Sequence, residues 1–235
     1  MSDRAAAAFA KHQAEVEDRP DWPALSDPIH DAQRHFRLLL AAMAEPGTRH
    51  NVTAPTPPNA DNDIGAALWG TLLTLCDLDT TVWIDPRLDK PALRRTLIFL
   101  TGTHVHADPT CADFAVVLPD TPITRLPFSR GSRAWPDRST TLLVAVPLLD
   151  TVSADTPDQG WWLSGPGIAT PRAVSIGTAT GTLFASLATT RADFPLGLDA
   201  ILTCADQLMA LPRSTRLERA APELPTAAAC GEENK

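Results

Sequence analysis

The sequence predicts a single three-layer α/β/α domain built around a mixed sheet. Two observations indicate this fold class. Segments with helical periodicity alternate along the chain with short, uninterrupted apolar runs, and two strand-like segments near the end are separated by only two residues. Short apolar runs without polar interruptions are typical of strands covered on both faces. Their alternation with amphipathic helices is the pattern of an α/β domain.

The first helix is predicted over residues 29–45. Asp27 can cap its N-terminus, Pro28 suits the first helical position, and Pro46 ends it. Apolar side chains recur at spacings of three and four, which predicts one buried stripe. The stripe consists of Phe36, Leu39, Leu40 and Met43.

A second helix is predicted over residues 63–76, with Asp63 as its cap. Trp69 and Leu73 widen its apolar arc, so we expect it to be buried on more than one side. The segment 80–84 is rich in β-branched and aromatic residues, which indicates a strand.

The remaining elements follow the same alternation. A third helix is predicted from residue 91 to residue 100, before the breaker Gly102, and another over 178–189. Segments with strand character are 114–118, 141–146 and 161–164. The last pair, 198–204 and 207–212, flanks Ala205-Asp206 and predicts a hairpin.

The domain is expected to span residues 26–219. Residues 1–25 are alanine-rich and then charged, which favours a flexible N-terminal arm, and residues 220–235 have the composition of a disordered tail. No internal repeat is visible.

Charge and composition exclude several classes of function. The 235 residues carry a formal net charge of -8, which argues against nucleic acid as the main partner. No apolar stretch reaches the roughly 18 residues of a membrane helix. The four cysteines form no C-x-x-C pair, which favours a reduced, cytoplasmic protein.

The common catalytic signatures are missing from the sequence. It contains no G-x-x-x-x-G-K-[ST] loop, no H-E-x-x-H and no G-x-S-x-G, and it has no tyrosine. Two clusters remain as weak candidates for ligand binding. Asp77 and Asp79 could hold a metal or exchange protons. Arg213 and Thr215, with Ser214 and Arg216 beside them, could clamp a phosphate.

The histidines give a weaker signal. His104 and His106 could share a strand face and hold a metal with Asp108 or Cys111, but the neighbouring glycine and proline favour two exposed loop histidines. His30 and His35 are interpreted as surface or interface residues of the first helix. The sequence therefore predicts no metal site.

Several segments, in order along residues 27–217, resemble the PhnH family of carbon–phosphorus lyase proteins. The matching residues are Asp31-Ala32-Gln33, Phe36-Arg37, Leu39, Ala42-Met43 and Glu45-Pro46-Gly47; Leu72-Leu73-Thr74-Leu75, Asp77, Asp79-Thr80 and Val82-Trp83; Gly165-Pro166-Gly167-Ile168; and Phe194-Pro195-Leu196-Gly197-Leu198-Asp199, Ile201-Leu202-Thr203-Cys204 and Ala210-Leu211-Pro212-Arg213 with Thr215.

The resemblance implies an accessory subunit of a multi-chain enzyme. The partners would be PhnG, PhnI and PhnJ in the core complex, together with PhnL, and the chain could form a homodimer. With PhnG, PhnI and PhnL it would support formation of α-D-ribose 1-methylphosphonate 5-triphosphate from ATP and a phosphonate. The resemblance also implies the fold of the pyridoxal-phosphate-dependent transferases. It brings no catalytic residue with it.

The residues indicate that this fold would come without its cofactor. A pyridoxal phosphate enzyme needs a Schiff-base lysine, and Lys11, Lys90 and Lys235 are all poorly placed for one. The spread of the cysteines does not suit an iron–sulfur cluster either. The alternative to a subunit is a stand-alone phosphonate- or nucleotide-binding protein that uses Asp77, Asp79 and Arg213.

Overall fold

A computed structural model of the chain describes residues 21–58, 64–152 and 161–219. The helices are α1 (Pro28–Ala44), α2 (Ala66–Leu75), α3 (Pro91–Thr101) and α4 (Thr180–Thr190). The strands are β1 (His50–Asn51), β2 (Thr81–Ile84), β3 (His104–Val105), β4 (Phe114–Val117), β5 (Thr141–Ala145), β6 (Asp150–Val152), β7 (Trp161–Ser164), β8 (Arg172–Ser175), β9 (Asp199–Cys204), β10 (Gln207–Leu211) and β11 (Arg216–Glu218). None of the described helices is long and apolar enough to cross a membrane.

The centre of the domain is a seven-stranded mixed sheet in the order β1-β10-β9-β5-β4-β2-β3. Its strands β3, β2, β4, β5 and β9 run parallel, while β10 pairs antiparallel with β9, and β1 pairs antiparallel with β10. A smaller antiparallel sheet has the order β11-β7-β8-β6. The predicted mixed sheet is thus confirmed, and so is the α/β class.

Alternating side chains of the central strands divide the core into two halves. Leu143 and Ala145 of β5 face one cluster, which α1, α2 and α3 cover, while Leu142 and Val144 face the other. The second face is covered by α4 together with the small sheet, not by helices alone as the α/β/α prediction implied. The small sheet forms on this face because of the sequence of the segment that follows residue 160. There Trp161 and the other inward residues of β7 alternate with half-buried ones, which suits a sheet with one solvated face.

Helix α1 begins as predicted but buries a different face. The Asp27 carboxylate caps it by accepting from two backbone N–H groups of the first turn. Phe36 and Leu40 are 45% and 53% exposed, so their placement in the buried stripe was wrong. His35, interpreted as a surface or interface residue, is buried inside the domain at 2% exposure. The reason is a close approach to α2 at Gly70, where an added Cβ would lie 2.9 Å from the His35 ring.

Helix α2 lies at the centre of the helical layer, and all its residues from 66 to 72 are buried, as its wide apolar arc predicts. The Trp69 ring meets Trp22 edge to face at 5.0 Å, and its Nε1 donates to the Pro23 carbonyl. Trp22 and Pro23 therefore belong to the packed domain, not to the predicted arm. Gly65 is the N-cap of α2, while Asp63, residues 1–20 and the tail from residue 220 lie outside the described residues.

The predicted hairpin is confirmed between β9 and β10. Cys204 pairs with Gln207, so the turn contains Ala205 and Asp206, and Ala205 has a φ of 50°. Both strands lie inside the main sheet, with β5 beside β9 and β1 beside β10.

Candidate functional site

The residue that follows α4 is a buried arginine that joins three chain segments. Arg191 is 7% exposed, and its guanidinium donates to the carbonyls of Leu198, Leu211 and Thr215. No carboxylate of the described residues forms an ion pair with it. Burial lowers the pKa of Arg191 to about 10, which leaves the side chain positively charged at neutral pH.

Arg213 is locked beside this arginine by an ion pair. The carboxylate of Asp199, the first residue of β9, accepts from the Arg213 backbone N–H at 2.6 Å and from its guanidinium. The same guanidinium donates to Ser139 Oγ at 2.6 Å and to the Pro136 carbonyl. Arg213 therefore holds the loop before β5 against the ends of β9 and β10.

A cavity of about 560 Å³ opens between the end of α4, strand β11 and the turn after β7. Its polar wall contains Arg191, Arg213, Ser214, Thr215, Arg216 and Glu218. Thr215 is 3% exposed, and its buried Oγ1 has no hydrogen-bond partner among the described residues. The apolar part of the wall includes Phe194, whose ring is 63% exposed. The cavity thus combines cationic, hydroxyl and aromatic groups.

The structure brings together only half of the predicted ligand-binding residues. Arg213 and Thr215 line the same cavity. Asp77 and Asp79 are exposed in the turn before β2, where the Asp77 carboxylate accepts from the Asp79 backbone N–H at 3.0 Å. Strand β2 is three positions from β9 in the sheet, which corresponds to roughly 14 Å. The two aspartates therefore lie at the same end of the strands as Arg213 but outside the cavity.

Comparison with known proteins identifies the family. A family model described as "Bacterial phosphonate metabolism protein (PhnH)" matches residues 23–218. The chain belongs to the PhnH family. A curated relative from Rhizobium meliloti (strain 1021), the "Alpha-D-ribose 1-methylphosphonate 5-triphosphate synthase subunit PhnH", is 34% identical over 197 residues. The match covers 83% of this chain and 94% of the relative. The predicted resemblance is thereby confirmed.

The PhnH match begins and ends at structurally meaningful positions. Pro23, its first residue, receives the hydrogen bond from Trp69, and Glu218, its last, ends β11. All residues that line the cavity lie inside this range. The cavity is therefore part of the PhnH domain and not of a peripheral extension.

A second polar cluster in the PhnH domain was not predicted from the sequence. Asp85, directly after β2, accepts from the Arg87 guanidinium and, at 2.6 Å, from Thr121 Oγ1, while Arg87 also binds Asp120. Burial raises the pKa of Asp85, but these hydrogen bonds outweigh it and hold the value at about 2. The sequence feature that could have predicted this cluster is the polar residues that follow β2 and its parallel neighbour β4, because the ends of neighbouring parallel strands lie close together. Both carboxylates of the cluster form ion pairs with Arg87, so we assign it to structure.

The histidine pair differs slightly from its prediction. His104 is in strand β3, paired with Thr81, and not in a loop, although both His104 and His106 are exposed as expected. In the part of the chain that the structure describes, no group of three or more histidine, cysteine, aspartate or glutamate residues could hold a metal ion.

Proposed function

We propose that the chain is the PhnH subunit of an α-D-ribose 1-methylphosphonate 5-triphosphate synthase and acts in phosphonate catabolism. The observation that supports this proposal is the similarity to the Rhizobium meliloti relative, a subunit of that synthase, which aligns over 94% of its length. The substrates would be ATP and a phosphonate. We propose an accessory role within the assembly, in the cytoplasm, without a cofactor of its own.

The proposed partners are PhnG, PhnI and PhnJ, joined by PhnL. A second copy of the chain, in a homodimer, is the alternative partner. An apolar stripe on α1 supports such assembly. Ile29, Phe36 and Leu40 are 66%, 45% and 53% exposed, and their spacings of seven and four place them on one helix face. Exposed apolar side chains grouped on one face are typical of interaction sites.

The fold of the pyridoxal-phosphate-dependent transferases remains a proposal for this domain. The mixed sheet, with α1, α2 and α3 on one face and α4 on the other, is compatible with it. Lys90, the N-cap of α3, is exposed, and this position does not suit the enclosed site that a Schiff base requires. This supports a transferase-like scaffold that serves assembly.

Co-expression tests the subunit role. The chain, carrying the only tag, would be expressed with PhnG, PhnI and PhnJ from its host, and we expect a stable stoichiometric complex. Phe36→Asp with Leu40→Lys should weaken recovery of the partners. Leu148→Lys, at a 46% exposed apolar residue outside α1, is the matched control.

Recovery of the wild-type chain alone would contradict the proposal. It would favour the alternative of a stand-alone phosphonate- or nucleotide-binding protein. That alternative would have to do without a joint site of Asp77, Asp79 and Arg213, because the aspartates precede β2, which lies roughly 14 Å across the sheet from β9.

A further inference from the structure

The cavity at the end of α4 contains a positive charge that the protein leaves without a direct counter-ion. Arg191 has five N–H donors, of which three bind carbonyl groups. Carbonyls satisfy hydrogen bonds but do not neutralise charge, and a buried charge without a pair is costly. Burial accordingly lowers the pKa of Arg191 to about 10, although the nearby Asp199 carboxylate offsets part of this lowering. An anion in the cavity would remove that cost.

The charges around the cavity leave room for an anion. Arg213 is neutralised by Asp199, which lies behind the wall. Arg216 is exposed on β11, and Glu218, on the same face of that strand, is the single carboxylate among the described residues of the wall. Three arginines against Glu218 and Asp199 give a local charge of about +1. This is notable because the whole chain carries a net charge of -8.

Thr215 supplies a second, independent indication of a ligand. Its Oγ1 is buried without a partner, although its own carbonyl is held by Arg191. Buried hydroxyls are almost always paired, because an unpaired one costs about 1–3 kcal/mol. Thr215 also lines the cavity, so a ligand bound there could supply the partner that this hydroxyl lacks. The unpaired donor is then explained by a missing acceptor.

We infer that this cavity binds the phosphate or phosphonate group of a small molecule, held by Arg191, Arg216 and Thr215. Guanidinium and hydroxyl donors suit the oxygens of such a tetrahedral anion. A volume of about 560 Å³ would admit a molecule of nucleotide size. The choice between phosphate and other anions rests on the proposed function, because a synthase subunit would meet ATP and phosphonates.

Calorimetric titration of the full chain with inorganic phosphate, methylphosphonate, ATP and adenosine tests the inference. We expect saturable binding of at least one phosphorus-bearing ligand, weakened by added salt, and much weaker binding of adenosine. Tighter binding of ATP than of phosphate would indicate a nucleotide, and tighter binding of methylphosphonate would indicate the phosphonate substrate. No saturable heat up to about 10 mM of any phosphorus-bearing ligand would overturn the inference.

Three variants make the test specific. Thr215→Val should reduce affinity about tenfold while melting at or above the wild-type temperature, because the lost hydroxyl has no partner in the free protein. Arg216→Gln should weaken binding roughly threefold to tenfold. Arg37→Gln removes another exposed arginine, from α1 and outside the cavity, and is the control. Unchanged affinity in both cavity variants would refute the assignment.

The same proteins separate this inference from the proposed function. If the wild-type chain co-purifies with PhnG, PhnI and PhnJ but binds no ligand, the cavity assignment fails and the subunit role stands. If it binds phosphate or phosphonate through Thr215 but recovers no partner, the subunit role fails and the cavity assignment stands.

Discussion

Mild acid should destabilise this domain through His35. The His35 ring lies between α1 and α2, with Nε2 at 2.9 Å from Thr71 Oγ1. That hydroxyl donates its own hydrogen to the Ala67 carbonyl at 2.7 Å, so it accepts from Nε2–H. Nδ1 is then the unprotonated nitrogen, and it is buried without a partner among the described residues. A proton on Nδ1 would create an unpaired charge inside the helical layer.

The sign and size of the effect follow from the pKa. Burial lowers the pKa of His35 from 6.5 to about 4. Between these values the unfolded chain binds a proton that the folded protein rejects, so stability is complete above pH 6.5 and is lost as the pH falls toward 4. A pKa difference of about 2.5 corresponds to about 3 kcal/mol, most of it reached by about pH 4.5.

Urea unfolding at about pH 7.5 and about pH 4.5 measures this loss when wild type is compared with His35→Met. Methionine does not titrate, and its flexible chain can fit the contact with Gly70. All other titrating groups are common to both proteins, so the wild type should lose roughly 2–3 kcal/mol more than the variant between the two pH values. Parallel losses in the two proteins would refute the buried neutral imidazole.

Three further predictions concern stability. Trp69→Ala should lower the free energy of unfolding by about 3–5 kcal/mol because the ring is fully buried, whereas Phe36→Ala should cost less than about 1 kcal/mol because that ring is 45% exposed; urea midpoints compare them. Asp199→Asn should cost about 2–4 kcal/mol, measured by thermal unfolding, because it leaves the Arg213 guanidinium without its charge partner. Asp85→Asn should cost about 1–2 kcal/mol at neutral pH, a value reduced for the solvent exposure of its arginine partner, and the difference from wild type should disappear as the pH falls from 3.8 toward 2.

Each of these has a distinct contradicting result. Equal losses for Trp69→Ala and Phe36→Ala would mean that α1 faces the core differently. For Asp199, the exposed Asp137 offers a matched asparagine control, and equal melting temperatures of the two variants would dismiss the ion pair as a stabilising contact. For Asp85, a difference from wild type that stays constant across pH would show that its charge is not involved.

The sequence was sufficient to predict the four helices and six of the described strands, because their signals are local, whereas β1, β3, β6, β8 and β11 were not predicted. Asp27 and Pro28 indicated the start of α1, and the continuous apolar runs indicated β4 and β5, all of which the structure contains. The face that α1 buries could not be predicted in this way. Hydrophobicity favoured Phe36 over His35, but Gly70 and Thr71 on another helix provide the space and the hydrogen bond that bury the histidine.

The candidate site was predictable only in part for a related reason. Arg213 and Thr215 are close in sequence and of types that bind phosphate, so they could be noticed together. Arg191 was not predicted as a site residue, because its burial and its position depend on hydrogen bonds to carbonyls from β10 and from the segments before β9 and β11. Such a partnership between a side chain and distant backbone groups leaves no pattern in composition or spacing.

The two-residue strands at the borders of the main sheet restrict how this protein can meet others. β1 and β3 are the outermost strands, and each offers too few free backbone groups to align a foreign strand. Growth of the sheet from one molecule into the next is therefore disfavoured. At these two borders, association must instead be specified by side-chain shape and charge, which favours selectivity among partners at concentrations at which exposed strand edges cause proteins to aggregate.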